Sequence, residues 1–178
     1  QNFEIYQVLK AHLHFSALNK LIAASPWAAR LILNRPAIYL GHFLENTWDN
    51  PLDLTLYEVN AETEEKASIS LRQIRNQLLL KMAYRDINRI DNILDINRDL
   101  TLIADFFCEQ ALKIAYELTS RNNEIPTNEN GHPIYPYIIG MGKMGGFELN
   151  FSSDIDLIFG YTGTDAHFFH KVARRRSE

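Results

Sequence analysis

Asp154 and Asp156 alternate with Ile155 and Leu157 in the run Ser152-Ser153-Asp154-Ile155-Asp156-Leu157-Ile158-Phe159. On an extended strand this alternation sends both carboxylates to one face, roughly 7 Å apart along the chain, and the aliphatic side chains to the other. Two acids so placed, with Lys143 the only cation close by in sequence, repel each other unless a divalent ion sits between them. Mg2+ or Mn2+ is the expected occupant. Just upstream stand Gly145 and Gly146, where backbone N–H groups can approach an anion with no side chain in the way. Phosphate beside a metal is therefore the expected substrate group.

Other readings of the glycines fit less well. Gly140, Gly142 and Gly145 spell G-x-G-x-x-G after a predicted strand. A dinucleotide fold would need a crossover helix next and an acid about 20 positions on, whereas here a second strand begins within roughly ten residues. A P-loop needs Ser or Thr after its lysine, and Lys143 is followed by Met144. Most isolated D-x-D runs are only solvated strand starts; the glycine bend at this distance favours a site. His167 and His170 at i and i+3 read as a solvated helix start, and Arg174 to Arg176 as a helix end complementing its dipole.

The elements that must position these residues are mostly helical. Residues 3–22 carry Phe3, Tyr6, Leu9, Leu13, Leu18, Leu21 and Ile22 on one helical stripe. Ser25-Pro26 starts a short helix that Arg35-Pro36 should end, and a further turn or two follows over 38–44. Turn formers fill 46–51, and a charged run at 62–66 opens a long helix reaching about Tyr84. Asp99 is expected to cap the next helix, whose apolar face runs from Leu102 to Leu118. Residues 121–136, with three prolines and four asparagines, form a turn region. Two strands, 137–139 and 155–161, flank the glycine bend. Trp27, Phe43 and Trp48 are expected to be packing residues, and Cys108, among Phe106, Phe107, Leu112 and Ile114, to be buried.

The whole segment GMGKMGGFELNFSSDIDLIFGY resembles the signature of the glutamine synthetase adenylyltransferase and adenylyl-removing enzyme family, usually G-x-G-K-L-G-G-x-E-L-N-x-x-S-D-I-D-L-I-F. Met144 in place of leucine is the main departure. That family falls within the DNA polymerase beta-like nucleotidyltransferases, and E-L-N-F-S-S-D-I-D is similar to its N-terminal, adenylyl-removing half. Residues 71–87 resemble the family's basic helix before the first catalytic strand. The resemblance implies an α+β fold: a helical region, residues 1–98, then the first part of a nucleotidyltransferase unit with a small mixed sheet, residues 99–178. It implies that Asp154 and Asp156 hold the metals and carry the catalysis, that Gly145 and Gly146 shape a phosphate pocket, and that Ser153 and Lys143 contact phosphate. It implies glutamine synthetase, ATP or ADP and phosphate, and a PII-type nitrogen regulatory protein as partners. The expected reaction is phosphorolytic removal of AMP from an adenylylated tyrosine; ATP-dependent adenylylation is the alternative. The third acid of the superfamily, in a V-D-x-R-L-R-P-like stretch, does not occur here, so a unit cut before its later strands, weakly active or inactive alone, is expected.

Composition sets outer bounds. The 178 residues are 46% hydrophobic and 22% charged, enough for one full domain and part of another. With 18 Lys plus Arg against 22 Asp plus Glu, net charge −4, nucleic acid is an unexpected partner. One cysteine excludes an internal disulfide and points to a reducing, cytoplasmic setting. No run approaches the roughly 20 apolar residues of a membrane span. A non-catalytic helical interaction module is the rival from a different class.

Overall fold

A computed structural model describes residues 7, 10–12, 14–45, 47–163 and 166–174. Of the stripe over residues 3–22, the second half forms α1 (Phe15–Ala24), with Leu18 and Leu21 buried; Phe3, Tyr6, Leu9 and Leu13 lie outside the described residues. The Ser25 hydroxyl accepts from the Ala28 N–H at 3.2 Å and caps α2 (Pro26–Asn34), which has proline at its first position. Two single turns follow, α3 (Pro36–Tyr39) and α4 (Gly41–Leu44). These short helices gather Leu18, Leu21, Ala28, Ile32, Tyr39, Leu40 and Phe43 onto Leu80, Ala83 and Tyr84.

The long helices are α5 (Glu64–Ile87) and α6 (Ile93–Ser120). Thr63 caps α5, accepting from the Lys66 N–H, with Glu64 and Glu65 complementing the dipole. The start of α6 differs from expectation. Asn92 is its cap, its side chain accepting from the N–H groups of Leu94 and Asp95 at 2.9 and 3.1 Å. Asp99 instead lies buried inside the helix beside Arg98. The helix therefore extends N-terminally of its broad apolar face, because an asparagine with two amide partners fixes the first turn without help from packing.

α5 is buried on more than one side. One side closes the core of the short helices; the other, through Ile74, Leu78 and Met82, packs with Ile96, Leu100, Ile103 and Cys108 of α6. The 47–51 turn is strapped to it from inside: Arg85 donates to the carbonyls of Trp48, Asp49 and Asn50 at 3.0, 2.7 and 2.8 Å and is ion-paired with Asp91. Phe43 and Trp48 are buried against Tyr84, whereas Trp27 is a surface residue at the rim of a cleft.

Beyond α6 the chain turns through 121–136 into a two-stranded antiparallel sheet, β1 (Tyr137–Gly140) and β2 (Leu157–Gly160), registered Tyr137 to Gly160 and Gly140 to Leu157. Between them lies one helical turn, α7 (Gly142–Gly145). The antiparallel pairing is incompatible with a dinucleotide-binding crossover. The last helix, α8 (Ala166–Arg174), buries Phe168, Phe169 and Val172 against Ala115 and Tyr116 of α6, leaving His167 and His170 exposed. The architecture is α+β. No helix of the described residues is long and apolar enough to cross a membrane.

Candidate functional site

The site is the connection between β1 and β2, and two buried side chains anchor it. Met144 of α7 and Leu149 sink into the α5–α6 core, and the Leu149 N–H reaches the Thr101 hydroxyl at 3.3 Å. Between these anchors α7 ends in paired bonds: Phe147 N–H to the Met144 carbonyl at 3.2 Å, and Glu148 N–H to the Lys143 carbonyl at 2.8 Å. This is the left-handed helix stop usually made with glycine. Here Phe147 adopts it, with φ +57° and half its surface exposed. No sequence pattern marked it, since glycine stands one place earlier.

The two glycines of the pair do different work. A Cβ on Gly145 would stand 2.7 Å from the Gly140 carbonyl oxygen, so the close approach of α7 to β1 requires glycine there. A Cβ on Gly146 would meet only ordinary contacts, at 3.5 Å or more. Their amides are engaged: Gly145 N–H donates to the Met141 carbonyl and Gly146 N–H to that of Gly142, at 3.2 and 3.1 Å. The pair thus offers a ligand an absence of side chains and not a set of free donors. The first-turn amides, of Gly142, Lys143 and Met144, have no acceptor within α7 itself.

Asp154 and Asp156 are both exposed, immediately before β2. The ladder continues one step past the strand ends, the Met141 N–H donating to the Asp156 carbonyl at 2.9 Å. This step brings the Asp156 carboxylate over Gly142, with Oδ2 3.4 Å from where a Cβ would be. Gly142, at φ +54°, is glycine for backbone reasons as well. Ser153 closes a turn with Asn150: its Oγ accepts from the Asn150 N–H at 3.0 Å, and its N–H donates to the Asn150 carbonyl at 3.1 Å. Lys143 is exposed on α7.

The strand expected from residue 155 begins at Leu157, so Asp154 and Asp156 precede the strand and do not share a face of it; Asp156 is the acid seated against the glycine turn. Among the described residues no group of three or more His, Cys, Asp or Glu is placed to hold a metal.

A helical body carrying an antiparallel hairpin, with a glycine turn and an Asp-x-Asp just before the second strand, makes this an α+β protein. Residues 15–175 match the glutamate-ammonia ligase adenylyltransferase family, and the chain belongs to that family. It is 35% identical over 153 residues to the bifunctional glutamine synthetase adenylyltransferase/adenylyl-removing enzyme of Thioalkalivibrio sulfidiphilus, covering 82% of this chain and 16% of that protein. To the enzyme of the same name from Pasteurella multocida it is 31% identical over 179 residues, covering 89% and 18%. The Neisseria meningitidis serogroup A protein is 41% identical over 101 residues, 56% and 11%. The chain thus spans less than a fifth of the length of these curated relatives.

Proposed function

We propose that this chain supplies the opening part of a metal-dependent nucleotidyltransferase unit behind a helical region; the division expected at residues 98 and 99 would fall inside the continuous helix α6, so we place it before Ile93, where α6 begins. Its substrate is glutamine synthetase, the protein that its relatives are named for acting on. The observation that carries the reading is the seating of the Asp156 carboxylate against Gly142, on a hairpin whose glycine turn is tied to the helical core through Met144 and Leu149. Asp154 and Asp156 would hold Mg2+ or Mn2+. Gly146, Lys143 and Ser153 would border the phosphate, with Gly145 shaping the turn beneath them.

The direction we infer is removal, supported by the likeness of Glu148 to Asp156 to the adenylyl-removing half of the family. A phosphate oxygen attacks the adenylyl phosphorus; the bond from phosphorus to the tyrosine oxygen breaks, that oxygen gains a proton, and ADP leaves. Such an in-line displacement asks the protein for positioning and charge neutralisation more than for covalent chemistry. The family resemblance adds ATP and a PII-type regulatory protein as further partners, and a cytoplasmic setting. The test is the melting temperature in ADP with and without Mn2+. The native chain should show an increment on adding Mn2+ that an Asp154→Asn, Asp156→Asn double variant lacks. An equal increment in both would favour a non-catalytic helical module.

A further inference from the structure

A second cleft lies on α5 and α6, bordered by residues 149–155, with a volume of about 470 Å3. Its walls are largely apolar, including Phe107, Leu149, Phe151 and Ile155. Its only charged lining residues are Arg72 and Arg75, one turn apart on α5 and both exposed. Neither makes a hydrogen bond or ion pair among the described residues. By contrast the buried Arg85, further along the same helix, is fully engaged with Asp91 and three carbonyls. Arg75, Leu79 and Phe151 also line an adjoining cleft of about 360 Å3 that contains Trp27 and the acidic Asp86. Ser153 and Ile155 line this 470 Å3 cleft, while the alternate residues Asp154 and Asp156 do not. The cleft therefore adjoins the carboxylate site, with Ser153 at the border of both.

We propose that this cleft is a second ligand site that takes a nucleotide, Arg72 and Arg75 holding its phosphates and the Phe107, Leu149 and Phe151 walls its base. Two uncommitted guanidinium forks match phosphate oxygens bidentately, and they stack on planar rings where an ammonium would not. The volume lies within the range of small-molecule sites, and apolar walls with a few polar groups are their usual lining. A nucleotide here would press on residues 149–155, the segment that leads into Asp154, and so tie occupancy of one site to the geometry of the other. The inference does not depend on metal binding.

Calorimetric titration of the whole chain with ADP in excess EDTA tests it, with the fluorescence of Trp27, in the adjoining cleft, as a second readout. ADP should bind without metal, more tightly than inorganic phosphate or adenosine alone. Arg72→Gln and Arg75→Gln should each weaken it by roughly tenfold, the loss of one charge-assisted contact. Arg75→Lys should recover only part. The Asp154→Asn, Asp156→Asn variant should bind ADP as the native chain does. Both arginines are exposed, so the variants should melt with the native chain, which separates a binding loss from misfolding. Unchanged ADP affinity in the arginine variants, phosphate binding as tight as ADP, or ADP binding that requires Mn2+ and vanishes with the aspartates would each overturn the proposal; the last would do so while leaving the metal site standing.

Discussion

The Asp156 carboxylate lies against Gly142, an oxygen 3.4 Å from the point where a side chain on that glycine would begin. The contact follows from register: Gly140 pairs with Leu157, so the next residues on each strand, Met141 and Asp156, are opposite one another, and the turn brings Gly142 under the acid. Gly142→Ala would force alanine into φ +54°, costing about 1 kcal/mol, and crowd the acid. Gly145→Ala, with 2.7 Å to the Gly140 oxygen, should cost more, about 1–3 kcal/mol. Urea unfolding should rank the two in that order, with Gly146→Ala the mildest of the three.

Phe147 holds a left-handed conformation that bulky residues disfavour. Phe147→Gly should relieve about 1 kcal/mol of backbone strain, less what the more flexible unfolded chain takes back. Its half-exposed ring forfeits little burial. A midpoint shift to higher urea with an unchanged slope would bear this out; a shift to lower urea would mean that the ring packs more than its exposure indicates.

Arg85 is one of two buried cations that hold the 47–51 turn, the other being Lys81, which donates to the Pro51 carbonyl at 3.0 Å. Arg85→Met should destabilise by about 3–5 kcal/mol, because Asp91 and three carbonyls lose their partner together. Protease nicking within 47–51, compared between native and variant, locates the loss. Arg72→Met, on the same helix but exposed, should leave stability nearly unchanged.

Burial, aided by the Asp49 carboxylate, pushes the Tyr84 hydroxyl from its usual 10 up to about 12. The unfolded tyrosine therefore releases its proton first as pH rises. Stability from this group is whole below pH 10 and is lost between 10 and about 12, on the order of 2 kcal/mol in all. Unfolding of the native chain and of Tyr84→Phe across that range should show the smaller decline in the variant.

Much of this was legible in the sequence, for identifiable reasons. Ser25-Pro26, the apolar stripes of α5 and α6 and the β-branched runs around the glycine bend are local signals, and each produced its element. The start of α6 was not. Asp99 and Asn92 are both good caps, and which of them takes the role is decided by a helix beginning that packing pattern does not mark. Asn92→Ala should therefore cost about 1 kcal/mol, a cost that arises from its two amide bonds. At the glycine turn, Gly142 and Gly145 stand out in the sequence, and the structure requires glycine at both, at φ +54° and at 2.7 Å from the Gly140 oxygen. That the amides of Gly145 and Gly146 are occupied inside a helical turn, and that Arg72 and Arg75 meet the 149–155 segment, depend on contacts between distant parts of the chain.

In the proposed site Asp154 and Asp156 together bind a divalent metal. Mn2+ titration followed by the loss of its free electron paramagnetic resonance signal tests it directly. Binding to the native chain should be saturable, weakened strongly by Asp154→Asn or by Asp156→Asn alone and unaffected by Arg72→Gln. Mn2+ binding that survives removal of both carboxylates, or no binding to the native chain with ADP present, would contradict it.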